Sequence, residues 1–193
     1  MSKEKCGWCK GDTLYEKYHD EEWGVPVYDD AIFFEFLVLE SFQAGLSWIT
    51  ILKKRENFRV AFDNFDYRKI ADYSATKKAE LRNNKGIIRN KLKIEAAVNN
   101  ANRFMEIQEE FGSFSNYIWK FVNGKPIQNK VINYKKRPAT TALSDKLSKD
   151  LKSRGFKFLG STTVYAFMQA TGLVNDHEES CFRNEVLSNL EQS

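Results

Sequence analysis

The stretch Leu81-Arg82-Asn83-Asn84-Lys85-Gly86-Ile87-Ile88-Arg89-Asn90-Lys91-Leu92-Lys93-Ile94-Glu95-Ala96-Ala97-Val98 decides how the chain folds. It reads as the end of one helix, a tight turn at Lys85 and Gly86, and a long second helix to about Phe111, which makes it a helix-hairpin-helix candidate. In such a hairpin the glycine lets the backbone approach a phosphate, amides near the start of the second helix point at it, and Arg89, Lys91 and Lys93 supply charge. Helical periodicity continues on both sides, with proline only at 26, 126 and 138 and few alternating apolar runs long enough for a sheet. Upstream, an irregular aromatic N-terminus gives way to a helix that Asp30 can cap, in which Phe33, Phe34, Leu37 and Val38 recur at helical spacing through about Gln43. Gly45 stops that helix, and Ser47 can cap another reaching about Phe62. Shorter helices are expected over 67–72 and, capped by Ser74, over 75–83. Downstream, helices are expected over 115–122, 144–153 and 161–171, the last two closed by Gly155 and Gly172, with a short one at the C-terminus. Asn123 to Pro138 reads as an extended loop or lobe connection. The chain is therefore expected to be all-α, one unit over 1–193 with two helical lobes around one cleft.

Of the 193 residues, 42% are hydrophobic and 29% charged, which excludes disorder, and 15 Phe, 8 Tyr and 4 Trp supply the packing volume of a core. The first ten residues lack the apolar run of a signal peptide. The longest apolar stretch, Ala31 to Leu39, is broken by Glu35 and too short to span a bilayer, so a cytoplasmic protein without membrane association is expected. The net charge of +4 conceals a division along the chain. Residues 1–40 carry −6 and residues 158–193 carry −4, which leaves +14 in the middle. Most of that excess lies in two runs, Lys77 to Lys93 with 7 basic and 1 acidic residue, and Lys130 to Lys157 with 9 basic and 2 acidic. Clustered Lys and Arg bind phosphates by releasing counterions, so a polyanion is the natural partner, a solvated helix surface being the alternative.

Every Cys and His lies in one of two clusters: Cys6, Cys9 and His19 at the start, His177 and Cys181 near the end. Thiolate and imidazole are the usual ligands of a tetrahedral zinc, and His177 and Cys181, four apart, share a face if their segment is helical. A structural zinc would tie the N-terminal segment to the C-terminal one and offset the entropy of ordering it. Cys6-Gly7-Trp8-Cys9 is also a C-x-x-C, but no strand-helix-strand setting surrounds it as a thiol-disulfide oxidoreductase requires. The residues leave open whether Cys6 and Cys9 both reach the metal or only one of them.

Longer blocks carry a family resemblance: Cys6-Gly7-Trp8, Leu14-Tyr15, Tyr18-His19-Asp20, Glu22-Trp23-Gly24-Val25-Pro26, Leu39-Glu40, Gln43-Ala44-Gly45-Leu46-Ser47-Trp48-Ile49, Leu52-Lys53-Lys54-Arg55-Glu56, Gly86-Ile87-Ile88-Arg89, Lys152 through Gly160, and Gly172-Leu173-Val174-Asn175-Asp176-His177. Together, from about Cys6 to Cys181, they resemble the DNA-3-methyladenine glycosylase I family. The resemblance implies an all-α helix-hairpin-helix glycosylase fold, a structural zinc on Cys6, His19, His177 and Cys181 with Cys9 as an extra cysteine, and excision of N3-methyladenine from duplex DNA. It further implies that Glu40, Tyr18 and Trp48 contact the base, with Tyr15, Trp8 and Trp23 lining the pocket.

The chemistry of such a site can be argued from the residues. Adenine methylated at N3 is cationic, so its glycosidic bond is already weak and the enzyme must chiefly select. Electron-rich rings stack well on a cation, and one carboxylate, Glu40, can accept hydrogen bonds from the exocyclic amine and add Coulomb attraction. Extruding a base costs a few kcal/mol, offset when a side chain plugs the gap. Ala44-Gly45-Leu46-Ser47 is the candidate plug, with Leu46 as wedge, and Gly86, Arg89 and Lys91 are the candidate phosphate contacts. Neither Glu109, Glu110 nor Lys91 is assigned a catalytic role by the resemblance. The expectation is a monomeric, monofunctional hydrolase without lyase activity that acts on double-stranded DNA containing alkylated adenine and frees 3-methyladenine. The alternative is a non-catalytic zinc-stabilised DNA-binding damage sensor, which would not require the set of Glu40, Tyr18 and Trp48.

Overall fold

The computed structural model describes residues 3–43 and 45–189. Among them are ten α-helices and a two-stranded sheet: α1 (Thr13–Glu21), α2 (Asp30–Gln43), α3 (Trp48–Ala61), α4 (Tyr67–Ala71), α5 (Ala75–Asn83), α6 (Lys91–Phe111), α7 (Phe114–Trp119), β1 (Ile127–Gln128), α8 (Ala142–Ser153), α9 (Ser161–Ala170), β2 (Val174–Asn175) and α10 (Phe182–Asn189). No helix among the described residues is long and apolar enough to cross a membrane.

The core forms around α2. Nine of its residues are buried, from Phe33 to Phe42, so it is enclosed on all sides and packs against α3, α6, α7 and α9. Phe34 meets Phe104 of α6, Phe33 meets Phe167 of α9, and Phe42 meets Phe58 of α3, all as inclined ring pairs. Local signals place most boundaries. Ser74 caps α5 through Lys77 N, and Thr141 with Ser144 forms a capping box that starts α8. Gly172, with φ of +71°, sits so close to Val25 and Pro26 that a Cβ would lie 2.4 Å from their backbone, so only glycine lets β2 approach that segment.

Several expectations are corrected. The N-terminal segment is not irregular, because Asp12 caps α1 by accepting from the amides of Leu14 and Tyr15. Asp30 does not cap α2; Asp29 does, accepting from Ala31 N and Ile32 N. Asp30 instead caps α7 across the core, its carboxylate accepting from Phe114 N and Ser115 N and from Gln108 Nε2. Ser47 stands at the N-terminus of α3, but its hydroxyl pairs with Thr50 Oγ1 rather than a free amide. The segment Asn123 to Pro138 contains β1, which pairs in parallel with β2 in the register Ile127 to Val174 and Gln128 to Asn175. The turn at Lys85 and Gly86 is present, with Ile87 N–H donating to Asn84 O, but α6 does not follow it directly: it begins only at Lys91, with Asn90 as its cap, so residues 84–90 link α5 to α6.

Candidate active site and metal centre

One cavity, of about 200 Å³, gathers the predicted aromatic and acidic residues. Helix α1 contributes Tyr15 and Tyr18, three apart on one face; α2 contributes Glu40 and Gln43, and α3 opens with Trp48. Trp8 and Trp23 flank α1 in sequence and meet edge to face with ring centroids 4.9 Å apart. Trp8 meets Tyr15 at 4.8 Å, and Tyr18 faces Trp48 at 5.6 Å. Glu40 is 3% exposed, and desolvation raises its pKa to about 8. Burial likewise pushes the Tyr18 phenol up, with Glu40 adding to the effect.

Polar atoms without partners define what this cavity is for. Trp8 Nε1, Tyr18 OH, Glu40 Oε2, Trp48 Nε1 and Arg137 Nη1 are all buried with no hydrogen-bond partner in the protein, and all five residues line this one cavity. A buried orphan costs about 1–3 kcal/mol, so the convergence of the first four suits a flat ligand that can stack on rings and hydrogen-bond along its edge. Sequence reasoning missed Gln43, Arg137, Ala166 and Gln169 as lining residues. Gln43 opens the Gln43–Ile49 block, Arg137 comes from a basic loop, and Ala166 and Gln169 from the middle and the end of α9.

The turn joining α2 to α3 borders the cavity. Ala44, part of the expected plug, lies outside the described residues. Gly45 has φ of +84°, the left-handed conformation that ends the helix as expected, and Leu46 stands 39% exposed. Its N–H donates to Gln43 O, and Gln43 Nε2 donates back to Leu46 O.

Behind the aromatic wall the two Cys/His clusters meet. Ligand atoms of Cys6, His19, His177 and Cys181 lie within 4.8 Å of one another, all four residues buried. Cys6 Sγ is 3.5 Å from His177 Nδ1, and Cys181 Sγ is 3.4 Å from His19 Nε2 and 3.6 Å from His177 Nδ1. Sulfur at about 2.3 Å and nitrogen at about 2.0–2.1 Å from a tetrahedral metal would stand about 3.5–3.6 Å apart, so the donor set fits a zinc-sized ion. The remaining ring nitrogens are engaged, His19 Nδ1 with Asp20 Oδ1 at 2.8 Å and His177 Nε2 with Trp23 O at 3.0 Å, which aims the ligating nitrogens inward. The Cys181 thiol is held well below its ordinary range, chiefly by the Cys6 thiol and then by the two imidazoles, while the Cys6 thiol is pushed up by the same contact. Cys9 is buried but outside the cluster, its Sγ donating to Cys6 O. His177 and Cys181 converge from a non-helical segment before α10, not from one helical face. The cluster also braces the cavity, since His177 packs on Trp23 at 4.5 Å and His19 on Trp8 at 5.3 Å.

The basic linker differs in part from expectation. Arg89 and Lys91 are exposed at the start of α6, as phosphate contacts must be. Lys93 is instead buried, and its Nζ donates to Phe42 O at the C-terminal end of α2, where a cation complements the helix dipole. The Gly86 N–H donates to Asn84 Oδ1 and is not free for a phosphate. Glu109 and Glu110 are both exposed, and Glu110 pairs with Arg154.

Known proteins resemble this chain over most of its length. The methyladenine glycosylase family profile matches residues 8–184. DNA-3-methyladenine glycosylase 1 of Escherichia coli (strain K12) is 47% identical over 178 residues, covering 92% of this chain and 95% of that protein. A solved 3-methyladenine DNA glycosylase I from Staphylococcus aureus, described for its recognition of 3-methyladenine, superposes with a TM-score of 0.90 at 40% identity, covering 93% of this chain and 96% of that one. With buried and half-buried tyrosine and tryptophan rings gathered around one buried carboxyl, and a profile match over almost the whole length, the chain belongs to the methyladenine glycosylase family.

Proposed function

We propose that this chain excises N3-methyladenine from alkylated duplex DNA, hydrolysing the N-glycosidic bond and leaving an abasic site in base excision repair. The observation that carries the reading is the convergence of four orphaned polar atoms, Trp8 Nε1, Tyr18 OH, Glu40 Oε2 and Trp48 Nε1, on one aromatic cavity. Glu40 recognises the flipped base, with Tyr18 and Trp48 in direct contact and Tyr15, Trp8 and Trp23 as walls. With its pKa near 8, Glu40 is mostly protonated at pH 7 in the empty cavity, and a cationic base favours its ionised form. Loss of the Glu40 proton is therefore linked to base binding, which selects the charged lesion over neutral adenine. Water then attacks an oxocarbenium-like sugar, and differential binding supplies much of the rate. A lyase step would need an amine nucleophile, and among the described residues no lysine lines this cavity, so the reading is hydrolysis alone.

Zinc is the metal this reading assigns to Cys6, His19, His177 and Cys181, in a structural role, supported by the sulfur–nitrogen spacings and the engaged outer nitrogens. The segment from α5 to α6 acts as the helix-hairpin-helix contact through Arg89 and Lys91, Gly45 and Leu46 plug the gap left by the flipped base, and a single copy suffices. Incubating purified protein with methylated DNA and separating free bases tests the proposal. Release of 3-methyladenine is expected; binding to damaged duplex without release would favour the damage-sensor reading.

A further inference from the structure

The second basic run contains Arg137, whose positive charge has no part in recognising a cationic base. Arg137 lines the aromatic cavity and also a neighbouring hollow of about 360 Å³, whose wall includes Asn129, Lys130, Lys136 and Thr141. Its guanidinium lies over the Trp23 ring at 5.2 Å, and its Nε donates to Tyr134 O at 3.3 Å. Nη1 is buried with no partner, and no ion pair joins Arg137 to a carboxylate among the described residues. Asp176 also faces the hollow, but its carboxylate already accepts from Asn129, Tyr165 and Gln169.

A fixed guanidinium gains nothing from a cationic base. What enters with that base is its sugar and the flanking phosphates, which must stay near the cavity mouth. Guanidinium is planar and forked, matching phosphate oxygens, and stacking on Trp23 holds the fork in place before DNA arrives. Lys130 and Lys136, both exposed beside the same hollow, give the approaching strand a positive lip. We propose that Arg137 anchors a DNA phosphate flanking the flipped nucleotide, so that the 129–138 segment is a second strand-binding element alongside the Arg89 linker. The proposal rests on the excision reading and assigns Arg137 a positioning role, not contact with the breaking bond.

The test compares wild type, Arg137→Ala and Arg137→Lys. Each is titrated with a duplex bearing a tetrahydrofuran abasic analogue, with undamaged duplex and with free 3-methyladenine. Arg137→Ala is expected to bind the analogue duplex roughly ten- to a hundredfold more weakly, and to lose at least tenfold more there than for the free base or undamaged DNA. Its salt dependence should flatten by about one phosphate, and Arg137→Lys should recover part of the loss. Replacing the flanking phosphates one at a time by neutral methylphosphonates should reproduce the loss in wild type at one position and leave Arg137→Ala indifferent there. Equal affinity of wild type and Arg137→Ala for the analogue duplex overturns the proposal. So does a loss as large for the free base, which would make Arg137 part of the base pocket wall. Wild type that neither binds the free base in titration nor releases it from methylated DNA overturns the excision reading itself, whatever Arg137→Ala does to the analogue duplex.

Discussion

Glu40→Gln separates recognition from stability, because the structure predicts opposite signs for the two. The variant keeps the shape of the side chain and removes its ionisation. In the folded protein Glu40 has a pKa of about 8, raised by desolvation, against an unfolded value near 4.5. Below about pH 4.5 the carboxyl is neutral in both states and costs folding nothing through ionisation. Above it the unfolded chain ionises while the folded one stays protonated, so stability falls by about 1.4 kcal/mol per pH unit until about pH 8. The accumulated loss at pH 7 is roughly 3 kcal/mol. A glutamine does not titrate, so the gap in melting temperature between Glu40→Gln and wild type should widen in favour of the variant by about 6–12 °C between pH 4.5 and 7. Base binding should move the other way. Losing one charge-assisted hydrogen bond in a desolvated cavity costs on the order of 1.5–3 kcal/mol, or ten- to a hundredfold in affinity for free 3-methyladenine. Titration followed by fluorescence of the cavity tryptophans reads the affinity, and calorimetric melts across pH read the stability. Equal affinities in two folded proteins would remove Glu40 from base recognition, and a gap that stays constant from pH 4.5 to 8 would refute the argument that the carboxyl is buried uncharged.

Metal analysis should find about one equivalent of zinc per chain, and treatment with a strong chelator should then lower the melting temperature and also weaken binding of free 3-methyladenine, because His19 and His177 brace Trp8 and Trp23. A metal-free preparation with the same melt and the same affinity would rule out the structural role. Cys9→Ser should retain that full equivalent, since Cys9 Sγ is turned to Cys6 O, whereas Cys181→Ser should lose most of it, as read by the same metal analysis. Arg89→Ala should weaken binding to all duplexes alike and reduce the salt slope by about one, measured by anisotropy at several salt concentrations. Leu46→Gly should slow excision from duplex DNA while leaving binding of the free base intact, and an equal loss in both assays would argue against a wedge.

How much of this was legible in the sequence varies with the range of the interaction. Helices whose signals are local appear where periodicity and caps place them, as with Ser74 before α5 and Gly45 after α2. Glu40 stood out because a carboxylate within the apolar run of α2 has no local way to reach water, and the structure buries it. The terminal Cys and His clusters announced a shared site through composition alone. Which cysteine belongs to it was decided only by packing, since Cys6 and Cys9 are three residues apart and differ solely in which way each thiol turns. Tertiary contacts also gave Asp30 a helix end 84 residues away to cap, and gave Lys93 the carbonyl end of α2 in place of a phosphate. Arg137 and Gln169 reach the cavity from segments distant in sequence from Glu40, and no periodicity in their own surroundings points there. Local pattern encodes conformation and burial because both act between near neighbours, whereas the partners of a buried polar group are set only when the helices close around it.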